Sequence, residues 1–253
     1  HDMSARRDTM NCCLFDIENV LSGGFEMGNI FYNEPKSLDV AFDVIGDIVL
    51  SAASQQYGGF TIPQADEILE KYAQKSYDRY LEKYISLGIE EKKAAEIAYK
   101  DVEKEMEQGF QGWEYKFNTV ASSRGDYPFI TVTIGLGKTR FAKLASKACL
   151  KVRSIGQGKP GFKKPVLFPK IVFLYDENLH GEGKELEDVF EAGIRCSSKT
   201  MYPDWLSLTG EGYIASMYKQ YGDSNAWNFL GNQEAITNFW IDGVKRNKDF
   251  ESL

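Results

Sequence analysis

Beyond residue 118 the chain alternates between two hydrophobic patterns, and this alternation limits the possible folds more than any other feature. Phe129-Ile130-Thr131-Val132-Thr133-Ile134 and Lys170-Ile171-Val172-Phe173-Leu174-Tyr175 are short runs rich in β-branched and aromatic residues, and Trp205-Leu206-Ser207-Leu208 is a shorter third. Each reads as a strand. Residues 139–153 and 184–197 between them read as helices. A helix between two strands carries the chain back to the same end of the sheet, so the next strand runs parallel to the last. The pattern therefore predicts an α/β architecture with a parallel sheet.

The first half is richer in helix. Residues 9–15 read as a short buried strand, and Asp16 to Leu21 as a helical turn stopped by Gly23-Gly24. Pro35 and Ser37 open a helix in which Leu38, Ala41, Phe42, Ile45, Ile48, Val49 and Ala52 recur at spacings of three and four, so one face is buried. Gly58-Gly59 ends it. Pro63 stands near the next start, and Ile68, Leu69, Tyr72, Tyr80, Leu81 and Tyr84 continue the helical period. Residues 90–117 are charged and helical, and such a run predicts a solvated face. There is no internal repeat and no low-complexity tract.

Composition excludes several classes. With 253 residues, 43% hydrophobic and 13% aromatic, the chain can build a substantial core, as one large domain or two small ones. A net charge of −7 argues against a non-specific nucleic-acid binder or a polybasic membrane-surface protein. No apolar run approaches the ~20 residues needed to span a bilayer, and no signal-peptide core is visible. The four cysteines, Cys12, Cys13, Cys149 and Cys196, lack the spacing of a disulfide framework, which predicts a reduced, cytoplasmic protein. The first residue is His1, so the sequence reads as a fragment, a processed product or a partial reading frame.

Few side chains suggest chemistry on their own. Cys12 and Cys13 are adjacent in an apolar setting, with no CxxC and no histidine at ligand spacing. That leaves a packed thiol or a thiol with redox or radical chemistry. Arg124, in Ser123-Arg124-Gly125, offers a planar fork for phosphate or carboxylate, or pairs structurally with Asp126 or a carbonyl. Ser54-Gln55-Gln56-Tyr57 is a polar run at the end of an apolar helix. Gly135-Leu136-Gly137-Lys138-Thr139 follows a strand and opens a helix, but Val132 stands where a phosphate-loop motif needs glycine, so an ATPase is rejected. The weaker expectation is that amides at this helix start meet a nucleotide phosphate. Gly156 to Gly161 reads as a tight surface loop, since Pro160 removes an amide donor. His180 is alone in a turn and makes no metal site, Cys196 reads as packed, and no carboxylate pair suits glycoside hydrolysis.

Five long blocks carry a family resemblance: residues 1–16 (HDMSARRDTMNCCLFD), 37–63, 112–133, 156–181 and 194–213. In this order they closely resemble the central part of the anaerobic (class III) ribonucleoside-triphosphate reductases, which are glycyl radical enzymes. The resemblance covers residues 1 to about 220. It implies part of a ten-stranded α/β barrel of the glycyl radical enzyme type, with a helix-rich N-terminal half. It implies that Cys12, with Asp16 four residues on, is the thiol donor toward the 2′ position of the sugar, with Cys13 as runner-up. Adjacent strand residues face opposite sides, so only one can point inward. Asn118, Ser123, Arg124 and Gln56 are the implied substrate contacts. The parent family uses a glycyl radical made by an S-adenosylmethionine iron–sulfur activating enzyme, formate as reductant, and a structural zinc outside this segment; no cofactor or metal is expected within it. The implied partners are a ribonucleoside triphosphate, a deoxynucleotide effector, the activating enzyme and a second copy in a homodimer, with no nucleic acid and no membrane. The helices over 36–118 would lie near the dimer interface and the effector site.

The last 33 residues fit that pattern poorly. The family would continue toward a loop with Met-Gly-Cys-Arg, which this sequence lacks. Trp227-Asn228, Phe239-Trp240-Ile241-Asp242-Gly243 and Arg246 to Glu251 resemble instead a short piece of glycoside hydrolase family 115. This suggests a chimeric junction near Tyr221, with 1–220 a partial reductase barrel and 221–253 an unrelated helical tail. The expected function is a segment of an anaerobic reductase, inactive alone because the thiyl-cysteine and glycyl-radical loops are not in the sequence. The alternatives are a non-catalytic dimerisation or effector-binding module, or a carbohydrate-active, α-glucuronidase-like fragment.

Overall fold

The computed structural model describes residues 13–53, 58–120 and 129–221. In chain order it runs β1 (Cys13–Leu14), α1 (Ile17–Gly23), a hairpin of β2 (Phe25–Met27) and β3 (Ile30–Tyr32), α2 (Leu38–Ala53), β4 (Phe60–Ile62), α3 (Ala65–Ser86) and α4 (Glu91–Thr119). It continues through β5 (Ile130–Ile134), α5 (Arg140–Ile155), β6 (Lys170–Tyr175), α6 (Glu187–Thr200), β7 (Asp204–Ser207) and α7 (Tyr213–Tyr221). The expected strands over 129–134 and 170–175 and the helices over 139–153 and 184–197 are present within a few residues.

The main sheet is ordered β1-β4-β5-β6-β7, and every pair is parallel. The strands are laid down in sequence order with no reversal. A doubly wound sheet reverses its strand order partway, whereas a barrel advances in one direction. The sheet is thus consistent with part of an α/β barrel. Phe60, Ile62, Ile130, Val132, Ile134, Ile171 and Phe173 point to one face and join a single core with residues of α2 to α6. Burying a side chain of this size contributes roughly 1.5–3 kcal/mol. The opposite face carries a smaller cluster of Leu136, Leu174 and Leu208, with Val172, Leu206 and residues of α7 packed on it.

Three elements were not apparent in the sequence. β4 is only three residues long, between Gly59 and Pro63, yet it joins β1 to β5. The β2–β3 hairpin turns at Gly28, whose φ of +64° suits glycine. α7 had given no clear periodic signal. The expected solvated face over 90–117 is present, with a buried face opposite it. α4 is charged on its outer side, but Ala94, Ala98, Val102, Met106, Phe110, Trp113 and Phe117 form a buried stripe, and Glu105 and Glu114 are buried with it.

Those two buried carboxylates bind the helices together. Glu105 Oε1 accepts from the Asp39 amide at 3.0 Å, and Ser76 Oγ of α3 accepts from the Leu38 amide at 2.9 Å. The first-turn amides of α2 are therefore capped by side chains of α3 and α4. α2 and α4 also approach closely at Gly109, where a Cβ would lie 2.2 Å from Cδ2 of Phe42.

Candidate functional site

In parallel α/β folds the loops that follow the strands carry the chemistry. Here that rim consists of the exits of β4, β5, β6 and β7, and it is held by a lateral network. The β4 exit begins with Gln64, whose amide donates to Thr133 Oγ1 of β5 at 2.7 Å. Two residues on, Asp66 opens α3 and is fully buried. Its Oδ2 accepts from the amides of Gly135 (3.0 Å) and Gly137 (3.2 Å) and from Ser146 Oγ of α5 (2.9 Å). Burial pushes the Asp66 carboxyl above the usual range, and these three donors pull it back in part. Glu67 beside it is pushed up to about 7 by desolvation and by the carboxylates of Asp66, Glu70 and Glu18, against Lys138.

The two glycine amides of the turn are therefore engaged within the protein. The amides of Gly135 and Gly137 already donate to the Asp66 carboxyl, and the Ala142 amide is capped by Thr139 Oγ1. Gly137 has no room for a side chain, since a Cβ would lie 2.4 Å from Ala142 Cβ.

The network continues to β6. His180 is almost completely buried, its ring between Phe173 and Tyr175 of β6 and Phe190 of α6. Nε2 lies 2.8 Å from the Gly135 carbonyl, and Nδ1 lies 3.0 Å from both the amide and the carbonyl of Asp176; with the proton on Nε2, Nδ1 accepts from the amide. Burial lowers the His180 pKa, against the backbone carbonyls of Gly135 and Asp176 that face its ring nitrogens. His180 is therefore a core residue with two backbone partners, a role its isolation in sequence concealed. From Asp176 the strand exits pass to β7, where the Glu177 amide donates to Thr209 Oγ1 and the Leu208 amide to the Tyr175 carbonyl.

Opposite the helices, register sets Leu14, Thr61, Thr131 and Lys170 in one row across β1, β4, β5 and β6. Thr133 and Val172 occupy the next row. These hydroxyls and one ammonium make this face, away from α2 to α6, more polar than the other. Lys170 Nζ sits 5.1 Å from the Phe129 ring centroid.

Of the residues singled out in the sequence, Cys12, Gln56, Ser123 and Arg124 lie outside the described residues, as does the tail beyond residue 221. Cys13 pairs in register with Phe60, hence with Ile130. Asn118, at the end of α4, is tied to the chain entering β6: its amide donates to the Phe168 carbonyl (2.6 Å) and accepts from the Phe168 amide (3.1 Å). Cys149 and Cys196 are buried free thiols, and burial pushes the Cys149 thiol up. The loop over 156–161 is a surface turn closed by the Phe162 amide on the Lys159 carbonyl. The sequence reading missed Asp66, Ser146 and the buried Arg153–Glu114 pair. An acid in a helix's first turn and a charge near a helix end are ordinary surface signals, and only long-range contact reveals them as buried.

Among the described residues no three His, Cys, Asp or Glu side chains converge as a metal site, and no helix is long and apolar enough to cross a membrane.

Comparison with known proteins gives a consistent result. The sequence model of the anaerobic ribonucleoside-triphosphate reductases matches residues 1–227. The enzyme of that name from Haemophilus influenzae is 39% identical over 225 residues, covering 88% of this chain and 31% of that protein. The one from phage T4 is 36% identical over 208 residues, covering 81% and 34%. The chain thus spans about a third of the length of these relatives. Among solved structures, the anaerobic ribonucleotide reductase of Thermotoga maritima with glycerol in its active site aligns with a TM-score of 0.56 at 16% identity, covering 86% of this chain and 36% of that one. The same enzyme with dATP in its specificity site aligns at 0.53. At that identity the likeness shows the fold.

Proposed function

Because the chain belongs to the anaerobic ribonucleoside-triphosphate reductase family, we propose that it is a segment of the catalytic barrel of an oxidoreductase that converts ribonucleoside triphosphates to deoxyribonucleotides. The observation that carries this reading is the family match over residues 1–227. The sequential parallel sheet supports it.

In this reading Cys12 is the thiol that donates toward C2′ of the sugar. Register supports the choice. Position 13 pairs in register with Phe60 and through it with Ile130, and two adjacent strand residues face opposite sides. Ser123, Arg124 and Gln56 contact the nucleotide, with Arg124 suited to its phosphates. Asn118 serves the site indirectly, by fixing the entrance of β6 through Phe168. A glycyl radical made by an S-adenosylmethionine iron–sulfur activating enzyme supplies the unpaired electron, and formate the reducing equivalents. The structural zinc belongs to a part of the enzyme outside this segment. The partners are the ribonucleoside triphosphate, a deoxynucleotide effector, the activating enzyme and a second copy, and the setting is the cytoplasm.

Two measurements test the reading. The 253-residue polypeptide, incubated anaerobically with nucleotide, activating enzyme, S-adenosylmethionine and formate, forms no deoxynucleotide and no organic radical, since it has no cysteine after Cys196. In a full-length reductase carrying this segment, Cys12→Ala abolishes turnover while Cys13→Ala retains it. Turnover by the polypeptide alone, or the opposite pattern of the two variants, rejects the assignment.

A further inference from the structure

We propose that Asp66 is a positioning residue: a built-in hydrogen-bond acceptor that fixes the turn after β5 and, through Gly135 and His180, the exit of β6. The inference rests on reading the segment as part of a catalytic barrel, where these exits form the rim facing substrate.

The geometry makes one carboxylate oxygen the centre of three elements. Oδ2 of Asp66 takes the Gly135 and Gly137 amides from the turn and the Ser146 hydroxyl from α5. Gly135 is held on both sides, its N–H by Asp66 and its C=O by His180 Nε2. His180 in turn accepts the first amide beyond β6, that of Asp176. Asp66 and Asp176 are thus linked through Gly135 and His180 across three adjacent strand exits. Gly135 has a φ of +117°, and a Cβ there would lie 3.1 Å from the Leu174 carbonyl, so the turn has little room to settle elsewhere. Oδ1 of Asp66 is buried without a hydrogen-bond partner among the described residues. A pure stability role is poorly served by such a group, because burying a carboxylate with half its acceptors unmet is unfavourable. Retention of the acid is explained by the position it imposes on the turn.

The test separates local positioning from general stability. Amide hydrogen exchange is compared for the chain, Asp66→Ala and Asp66→Asn. Asparagine keeps an acceptor oxygen at the Oδ2 position and alanine does not. Asp66→Ala lowers protection at Gly135 to Lys138 and Asp176 to His180 by about 100-fold while the interiors of α2 and α4 keep theirs, and Asp66→Asn restores most of the loss. If Asp66→Ala fails to fold, Ser146→Ala gives the same regional pattern at smaller amplitude. Uniform loss across all elements, or unchanged exchange at the turn, overturns the proposal. In the full-length reductase, Asp66→Ala lowers kcat/KM for the ribonucleoside triphosphate at least about tenfold, with Asp66→Asn between it and wild type. Altered exchange at the turn with wild-type kcat/KM also overturns it. A wild type with no reductase activity but the regional exchange pattern rejects the functional reading and leaves the positioning of the turn intact.

Discussion

Removing the carboxylate of Glu114 strands a fully buried guanidinium. Arg153 on α5 is fully buried and Glu114 on α4 nearly so, with Nε donating to Oε1 at 2.8 Å. The guanidinium has one further acceptor, the Pro169 carbonyl at 2.6 Å, and lies over the Tyr202 ring; Nη1 has no partner among the described residues. Glu114→Leu leaves that cation in the core with one carbonyl and a ring. Breaking a buried pair from one side costs about 3–5 kcal/mol, because the surviving charge is uncompensated. For a chain of this size 1 kcal/mol moves Tm by roughly 2–4 °C, so the loss is about 6–20 °C. The double variant Glu114→Leu/Arg153→Met removes both charges and recovers most of the stability.

The assay is urea unfolding of the four members of the cycle, followed by far-ultraviolet circular dichroism. A coupling of about 2 kcal/mol or more is expected. The Lys147–Asp188 pair, 2.6 Å apart but substantially exposed on both sides, serves as control, and its single variants lose no more than about 1 kcal/mol. A Glu114→Leu loss no larger than that of the control, or a double variant whose loss is the sum of the singles, refutes the reasoning.

His180 predicts a pH dependence. Its native pKa lies below the ordinary 6.5, so as pH falls through 6.5 the unfolded chain takes up a proton that the native one does not. Stability therefore declines below about 6.5 and levels off below the native pKa; His180→Gln removes this component, seen as a smaller difference in urea midpoint between pH 7 and 5. An unchanged difference rejects it. Gly109→Ala places a methyl against the Phe42 ring and destabilises by about 1–3 kcal/mol, with part of the loss recovered by Phe42→Leu; a neutral substitution contradicts the close approach of α2 and α4. The buried thiols of Cys149 and Cys196 resist alkylation in the native chain and react only on unfolding, as peptide mass mapping of the label shows; native labelling at Cys149 contradicts its burial.

The sequence by itself determined the elements whose signals are local. α2 was readable because Leu38, Ala41, Phe42, Ile45 and Ile48 repeat with the helical period, and β5, α5 and β6 because runs of β-branched residues and an amphipathic stretch follow each other. Parallel pairing followed from their alternation, and family membership from long blocks in fixed order. Tertiary structure decided what depends on distant partners. Phe60–Ile62 is too short to show a period and becomes a strand because its neighbours β1 and β5 supply its hydrogen bonds. Glu114 and Asp66 look like ordinary helical acids until partners 39 and 69 residues away, Arg153 and Gly135, remove them from water. The turn at Gly135–Thr139 suggested a phosphate site from its composition, and only the fold brought the internal carboxylate that fills it. A local pattern specifies which face of an element is apolar, whereas the partner of a buried charge is set by the path of the chain between them.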